Sequence, residues 1–373
     1  MALVGPRQVG KTTLIRQALQ GLNVPLTYEN ADGVLRSGDA WLEEIWQKAR
    51  VSASGGTALL VIDEIQKIQL WSETVKKLWD ADTWNSVDLK VVILGSSTVL
   101  LNSGLRESLA GRFEQMRVMP WTYAEMADAF GVDLETYAVY GGYPGSMAYV
   151  EDTQRWLAYM MDSIVEPVLL KDILQLQRID KPALLRELLI TGAQMSSREV
   201  SYTKLLGVLR DAGNTTTLVN YLQLLDDAGM LCGLSKYGKS ALKKRSSPKL
   251  QVFANGLSTA CGAPWRVGMD SSNRGRCYES VVGMHLRNSV EGTNFNLYWW
   301  RVGNDEVDYV LAGPQGVVAV EVASGLSHTR RGLDAFKKAN PTASTMVVGE
   351  SGVGFEQFLR ISIPEILERA GVR

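Results

Sequence analysis

Gly5-Pro6-Arg7-Gln8-Val9-Gly10-Lys11-Thr12 sets the fold of the N-terminal region. Two glycines with four residues between them, followed by Lys and Thr, make a phosphate-holding loop when a strand precedes them and a helix follows. Both flanks fit: apolar Ala2-Leu3-Val4 comes before, and Leu14-Ile15-Arg16-Gln17-Ala18-Leu19 comes after. The residue types suit the chemistry. Glycines let backbone N–H groups wrap phosphates, the helix start adds partial positive charge, Lys11 reaches the outer phosphates, and the Thr12 hydroxyl can ligate magnesium. Gly5, Pro6, Arg7, Gln8, Val9, Gly10, Lys11, Thr12 and Thr13 are therefore the expected contacts of a nucleoside triphosphate, read as ATP with Mg2+.

About fifty residues on, Ala58-Leu59-Leu60-Val61-Ile62-Asp63-Glu64 is a continuous apolar run ending in two carboxylates. This is the pattern of a buried parallel strand whose C-terminal end opens on the phosphate site. Asp63 is expected to hold magnesium, with Thr12, and Glu64 to polarise the water that attacks the γ-phosphate. A third apolar strand, Leu89-Lys90-Val91-Val92-Ile93-Leu94, ends at Gly95-Ser96-Ser97-Thr98. A hydroxyl there, Ser96 or Ser97, suits a γ-phosphate sensor, and equally suits a cap on a following helix. Ser108-Leu109-Ala110-Gly111-Arg112-Phe113 places one arginine among small residues. Arg112 is either an arginine finger serving a neighbouring subunit or an ordinary surface arginine.

On these motifs, with Ile62-Asp63-Glu64-Ile65-Gln66-Lys67, Leu94-Gly95-Ser96-Ser97, Leu109-Ala110-Gly111-Arg112 and Gly141-Gly142-Tyr143-Pro144, the chain resembles a family of bacterial and archaeal AAA+ ATPases. Members join a P-loop domain to a C-terminal domain of unknown function. The resemblance covers nearly the whole chain and implies ATP hydrolysis, a helical lid after the Gly-Gly-Tyr-Pro turn, a winged-helix segment and homo-oligomers. Members carry residues upstream of the P-loop where only four precede Gly5 here, which suggests a truncated or misassigned start and a short first strand.

Bulk properties agree with a multidomain globular protein. A length of 373 residues exceeds one comfortable core, and 46% hydrophobic with 21% charged residues is ordinary composition. Lys plus Arg (39) balances Asp plus Glu (40), so any nucleic-acid contact must come from a local patch. The three cysteines are widely spaced and read as reduced thiols, and the apolar runs are too short to span a bilayer. The expected compartment is the cytoplasm, without a membrane partner.

From Pro182 the leucines at 184, 185, 188, 189, 205, 206 and 209 fall on helix faces. Asn214-Thr215-Thr216 starts another helix carrying Leu218, Tyr221, Leu222 and Leu225, and Met230 to Leu234 reads as a strand. Lys236, Lys239, Lys243, Lys244, Arg245 and Lys249 form an acid-free stretch. This basic stretch, 236–249, reads either as a wing that contacts DNA phosphates or as a solvated loop.

Farther on, Glu279 lies on a helical pattern, while Asp308 and Glu321 lie on two strands joined at Gly313-Pro314-Gln315-Gly316. Three such carboxylates could meet at one divalent metal. This part of the family resembles PD-(D/E)XK nucleases, but the lysine that pattern wants two residues after Glu321 is Ala323 here. A degenerate nuclease-like domain is therefore expected rather than a cleaving one.

The expected fold class is α/β: a P-loop parallel sheet with helices on both faces (1–125), a helical lid (126–180), a winged helix (181–250) and an α/β nuclease-like domain (251–373). Two rivals to ATP hydrolysis stand beside it: a nucleotide-gated switch with negligible turnover, and a metal-dependent DNA nuclease.

Overall fold

The computed structural model describes residues 1–372 apart from 35–37, 96–108, 175–178, 211–212, 239–246, 267–269 and 324–329. The chain divides into two compact units, Met1–Val118 with Leu170–Arg178, and Met119–Leu169 with Ile179–Arg373.

The first unit is built on β1 (Ala2–Val4), β2 (Leu26–Asn30), β3 (Ala58–Asp63), β4 (Leu89–Leu94) and β5 (Gln115–Arg117). They lie side by side in the order β2-β3-β4-β1-β5, and every pairing is parallel. Alternation along the strands divides their side chains between two cores. On one face Ala2, Val4, Leu60, Ile62 and Ile93 pack with Leu42, Ile45 and Trp46 of helix Gly38–Ser52 and Trp71, Val75 and Leu78 of helix Trp71–Trp84. On the other, Leu3, Val61, Val92 and Leu94 pack with Ile15 and Leu19 of helix Lys11–Leu19. The unit is thus an α/β parallel sheet with helices on both faces. All six residues of β3 are buried, which is why its sequence is an unbroken apolar run rather than an alternating one.

The sheet order positions the site. All five strands point the same way, so the loop after β1 and the carboxylates after β3 emerge at one edge of the sheet, with β4 between them. Helix Gly38–Ser52 is tied to helix Trp71–Trp84 through Asp82, which accepts from Trp46 Nε1 and Arg50 Nε, each at 2.6 Å.

The second unit opens with helix Tyr123–Phe130, begun by a reciprocal cap between Thr122 and Glu125, and helix Leu134–Tyr140. The Gly141-Gly142-Tyr143-Pro144 segment follows. The Trp121 N–H donates to Gly142 O at 2.8 Å, so the two backbones run in contact. A Cβ on Gly142 would stand 2.0 Å from Trp121 O. Gly142→Ala is expected to cost about 1–3 kcal/mol through this overpacking, read as a lower denaturant midpoint. An unchanged midpoint would show that the turn has room to shift.

Beyond it come helices Pro182–Gln194, Tyr202–Val208 and Thr215–Asp227, the last capped by Asn214, whose Oδ1 accepts from Thr217 N at 2.9 Å. Antiparallel β6 (Leu231–Leu234) and β7 (Lys249–Val252) follow. After helix Ser271–Ser289, strands β8 (Asn296–Val302), β9 (Asp305–Gly313), β10 (Gly316–Ala323) and β11 (Ser344–Gly349) form a second sheet in the order β11-β10-β9-β8. The β9–β10 hairpin is the one expected around Pro314, and β11 joins β10 in parallel through helix Arg331–Ala339. Trp299 and Trp300 are buried. No helix among the described residues is long and apolar enough to cross a membrane.

Candidate functional site

The loop after β1 keeps the geometry that its glycines permit. Gly10 takes a left-handed backbone (φ 88°) immediately before helix Lys11–Leu19, a conformation costly for a residue with a Cβ. No side chain caps that helix and no acidic residue sits in its first turn, so its leading N–H groups are left for an anion. Gln8 also has positive φ (61°), and Val9 is buried beneath the loop.

Lys11 folds back over the loop. Its ammonium is buried and donates to Gly5 O at 2.8 Å and Pro6 O at 2.6 Å. Burial pulls its pKa down to about 8, against the opposing pull of Glu64, Asp172 and Asp63.

Thr12 and Asp63 meet across the sheet edge, the Thr12 hydroxyl donating to Asp63 Oδ2 at 3.1 Å. Two hard oxygen donors this close, beside a loop that can hold phosphates, suit Mg2+, which takes few protein ligands and completes its shell with water and phosphate oxygens. The chemistry of the donor set therefore fits a magnesium nucleotide. Asp63 also accepts from Glu64 N at 2.9 Å and from the Tyr28 hydroxyl at 2.8 Å. Burial first, and then Asp63, push the Tyr28 phenol up to about 12, so it stays protonated and can only donate to that carboxylate.

Glu64 adopts a left-handed backbone (φ 55°), unusual for a residue with a side chain, and its Oε2 accepts from Gln66 Nε2 at 2.5 Å. Arg7 makes a two-pronged ion pair with Asp172, at 2.8 Å from Nε and 2.6 Å from the terminal nitrogen. Nothing in the sequence signalled Tyr28 or Asp172, because neither belongs to a local motif. They stand 35 and 165 residues from the groups they contact.

Other expected residues fall elsewhere. Ser96 and Ser97 lie outside the described residues. Arg112 donates to Asp80 at 2.8 Å on the surface of the first unit. Beside it an open hollow of about 480 Å³ is lined by Trp46, Trp79, Val91, Leu109 and Phe113. Of the basic stretch, 239–246 lies outside the described residues, and Lys236 stacks over Trp299 with its nitrogen 5.7 Å from the ring centre. Lys249, expected with them on a solvent-facing wing, is instead buried, because all four residues of β7 are covered. It cannot reach DNA phosphates.

In the second unit, Glu279 and Asp308 do come together, with Lys249 between them. Its ammonium is 2.6 Å from Glu279 Oε1 and 3.5 Å from Asp308 Oδ1. Burial raises the pKa of Glu279, with Lys249 pulling it back down, and burial together with Asp308 raises that of Glu321. Among the described residues, no group of three or more His, Cys, Asp or Glu is placed to hold a metal ion. His285 is buried against Ile361 O at 3.1 Å, and His328 lies outside the described residues.

A parallel sheet in this order, with a phosphate loop after one strand and an Asp-Glu pair after the next but one, defines a P-loop nucleotide-binding fold. Comparison with known proteins agrees: residues 1–127 match the model of an AAA domain. Residues 131–266 and 274–365 match two domain families of unknown function. An uncharacterized protein of Methanocaldococcus jannaschii is 24% identical over 324 residues, covering 80% of this chain and 69% of the relative. An uncharacterized protein of Mycobacterium tuberculosis is 28% identical over 311 residues, covering 81% of this chain and 65% of the relative. The chain thus spans about two thirds of the length of the curated relatives it matches. Among solved structures, a Walker-type ATPase of Pyrococcus abyssi aligns over 70% of this chain and 90% of its own, with 16% identity and a TM-score of 0.45.

Proposed function

We propose that the first unit binds ATP with Mg2+ and hydrolyses it, and that nucleotide state acts on the C-terminal region. The observation that carries this is the meeting of Thr12 and Asp63 at 3.1 Å beside an uncapped helix start. Gly5 to Thr13 hold the phosphates by backbone N–H groups. Lys11 exchanges its two loop carbonyls for phosphate oxygens. Thr12 and Asp63 hold the cation, which when bound offsets charge developing on the β- and γ-phosphate oxygens. Tyr28 keeps the Asp63 carboxylate oriented, and Glu64 takes a proton from the attacking water. Steady phosphate release from ATP by the full chain, lost with EDTA, is the expected behaviour. Binding without release would favour the rival reading of a nucleotide-gated switch.

The same site predicts a pH dependence. Below pH 8 Lys11 is already charged, so protonation of this group leaves affinity flat. Above about 8 the free loop loses the ammonium while the bound triphosphate favours it, so binding takes up a proton and affinity falls by up to about tenfold per pH unit. Calorimetry in two buffers of different ionisation heat reads this proton directly. Equal heats above pH 8.5 would contradict it.

Around this core we read 1–125 as the ATPase core, 126–180 as a lid, 181–250 as a winged helix and 251–373 as a nuclease-like domain. The order of three helices and a two-stranded sheet over 182–252 supports the third of these. With Lys249 buried, DNA contact rests on Lys236 and 239–246. In a homo-oligomer, Arg112 would act on a neighbour's nucleotide by exchanging Asp80 for phosphate.

A further inference from the structure

The nuclease resemblance of the C-terminal region implies a divalent cation shared by Glu279, Asp308 and Glu321, and the side chains present there do not fit one. A hard divalent ion needs carboxylate oxygens at roughly 2.0–2.6 Å. Between Glu279 and Asp308 that position is taken by a nitrogen: Lys249 Nζ lies 2.6 Å from Glu279 Oε1 and 3.5 Å from Asp308 Oδ1. The same ammonium donates to Asp308 O at 3.1 Å and stands 4.6 Å from the centre of the Tyr309 ring. Lys249 is 1% exposed, so making room for an ion would require moving a covered, ion-paired ammonium. Asp308 has its second carboxylate oxygen engaged as well, accepting from Val322 N at 2.8 Å. A metal ion added to this arrangement would face a buried like charge.

We propose that Lys249 is the resident cation of this cluster, standing where the nucleases the region resembles hold a metal. The lysine missing from the strand pattern at Ala323 is thus not merely lost. A lysine from β7, which precedes the 274–365 match, neutralises the carboxylates of helix Ser271–Ser289 and β9 and ties those elements to β7. Such a buried ion pair holds only while both signs are present, so the cluster fixes how these elements pack without any exchangeable ion.

The test is Mn2+ binding to the full chain, measured without nucleotide by electron paramagnetic resonance, with Asp308→Asn as the control that separates this cluster from the P-loop. The wild-type chain is expected to bind no Mn2+ that Asp308→Asn removes, and its melting midpoint should be the same in EDTA and in millimolar Mn2+. Lys249→Met, which keeps length and removes charge, should gain about one Mn2+ that Asp308→Asn then abolishes. Wild-type uptake of one Mn2+ lost in Asp308→Asn would overturn the proposal, as would a folded Lys249→Met chain that gains none. If Lys249→Met does not fold, the wild-type midpoint decides: a rise of several degrees with Mn2+, absent in Asp308→Asn, overturns the proposal, and no change sustains it.

Discussion

Replacing Lys11 by alanine is expected to weaken ATP binding roughly a hundredfold, about 3 kcal/mol, while leaving the fold intact. The ammonium is buried over the phosphate loop and held by Gly5 O and Pro6 O. Arg7, the other cation of the loop, is held by Asp172. Without Lys11 the outer phosphates would face Asp63 and Glu64 with only the magnesium ion to offset their charge. Stability should behave differently from affinity. Burial already disfavours the charged form, which is why the pKa falls to about 8, so removing the ammonium is not expected to lower the melting midpoint. Titration calorimetry with Mg–ATP and a thermal melt separate the two effects. An affinity within threefold of wild type would mean the phosphates do not sit under Lys11.

Glu64→Gln should do the opposite: ATP binding stays within a few-fold, and single-turnover hydrolysis drops roughly 100- to 10,000-fold, the range a general base supplies. A glutamine keeps the shape and can still accept from Gln66 Nε2, so the left-handed turn after β3 is undisturbed. It loses only the capacity to take a proton. Hydrolysis at the wild-type rate in Glu64→Gln would remove Glu64 from the base role and leave its strained backbone without a catalytic explanation.

What could be read in the sequence was what neighbouring residues determine together. The strand, loop and helix around Gly5 to Thr12 are a contiguous signal, and β3 announces itself because a strand buried on both faces must be apolar throughout. Asn214 marks a helix start because its side chain serves an N–H three residues on. Groups brought in from afar left no such trace. Tyr28 reaches Asp63 only because β2 pairs with β3, and Asp172 reaches Arg7 only because the chain returns to the first unit after its long excursion. Lys249 misled for the same reason. Its sequence neighbours are basic, which suggests a solvated wing, but its strand is covered and its partners lie 30 and 59 residues away.

The account stands on the phosphate loop accepting a magnesium nucleotide. Calorimetric titration of the folded wild-type chain with a non-hydrolysable ATP analogue, with and without Mg2+, measures this most directly. Saturable binding near one nucleotide per chain, tighter with Mg2+ and lost in Lys11→Ala, is the predicted result. No detectable uptake by folded protein at millimolar analogue would contradict it.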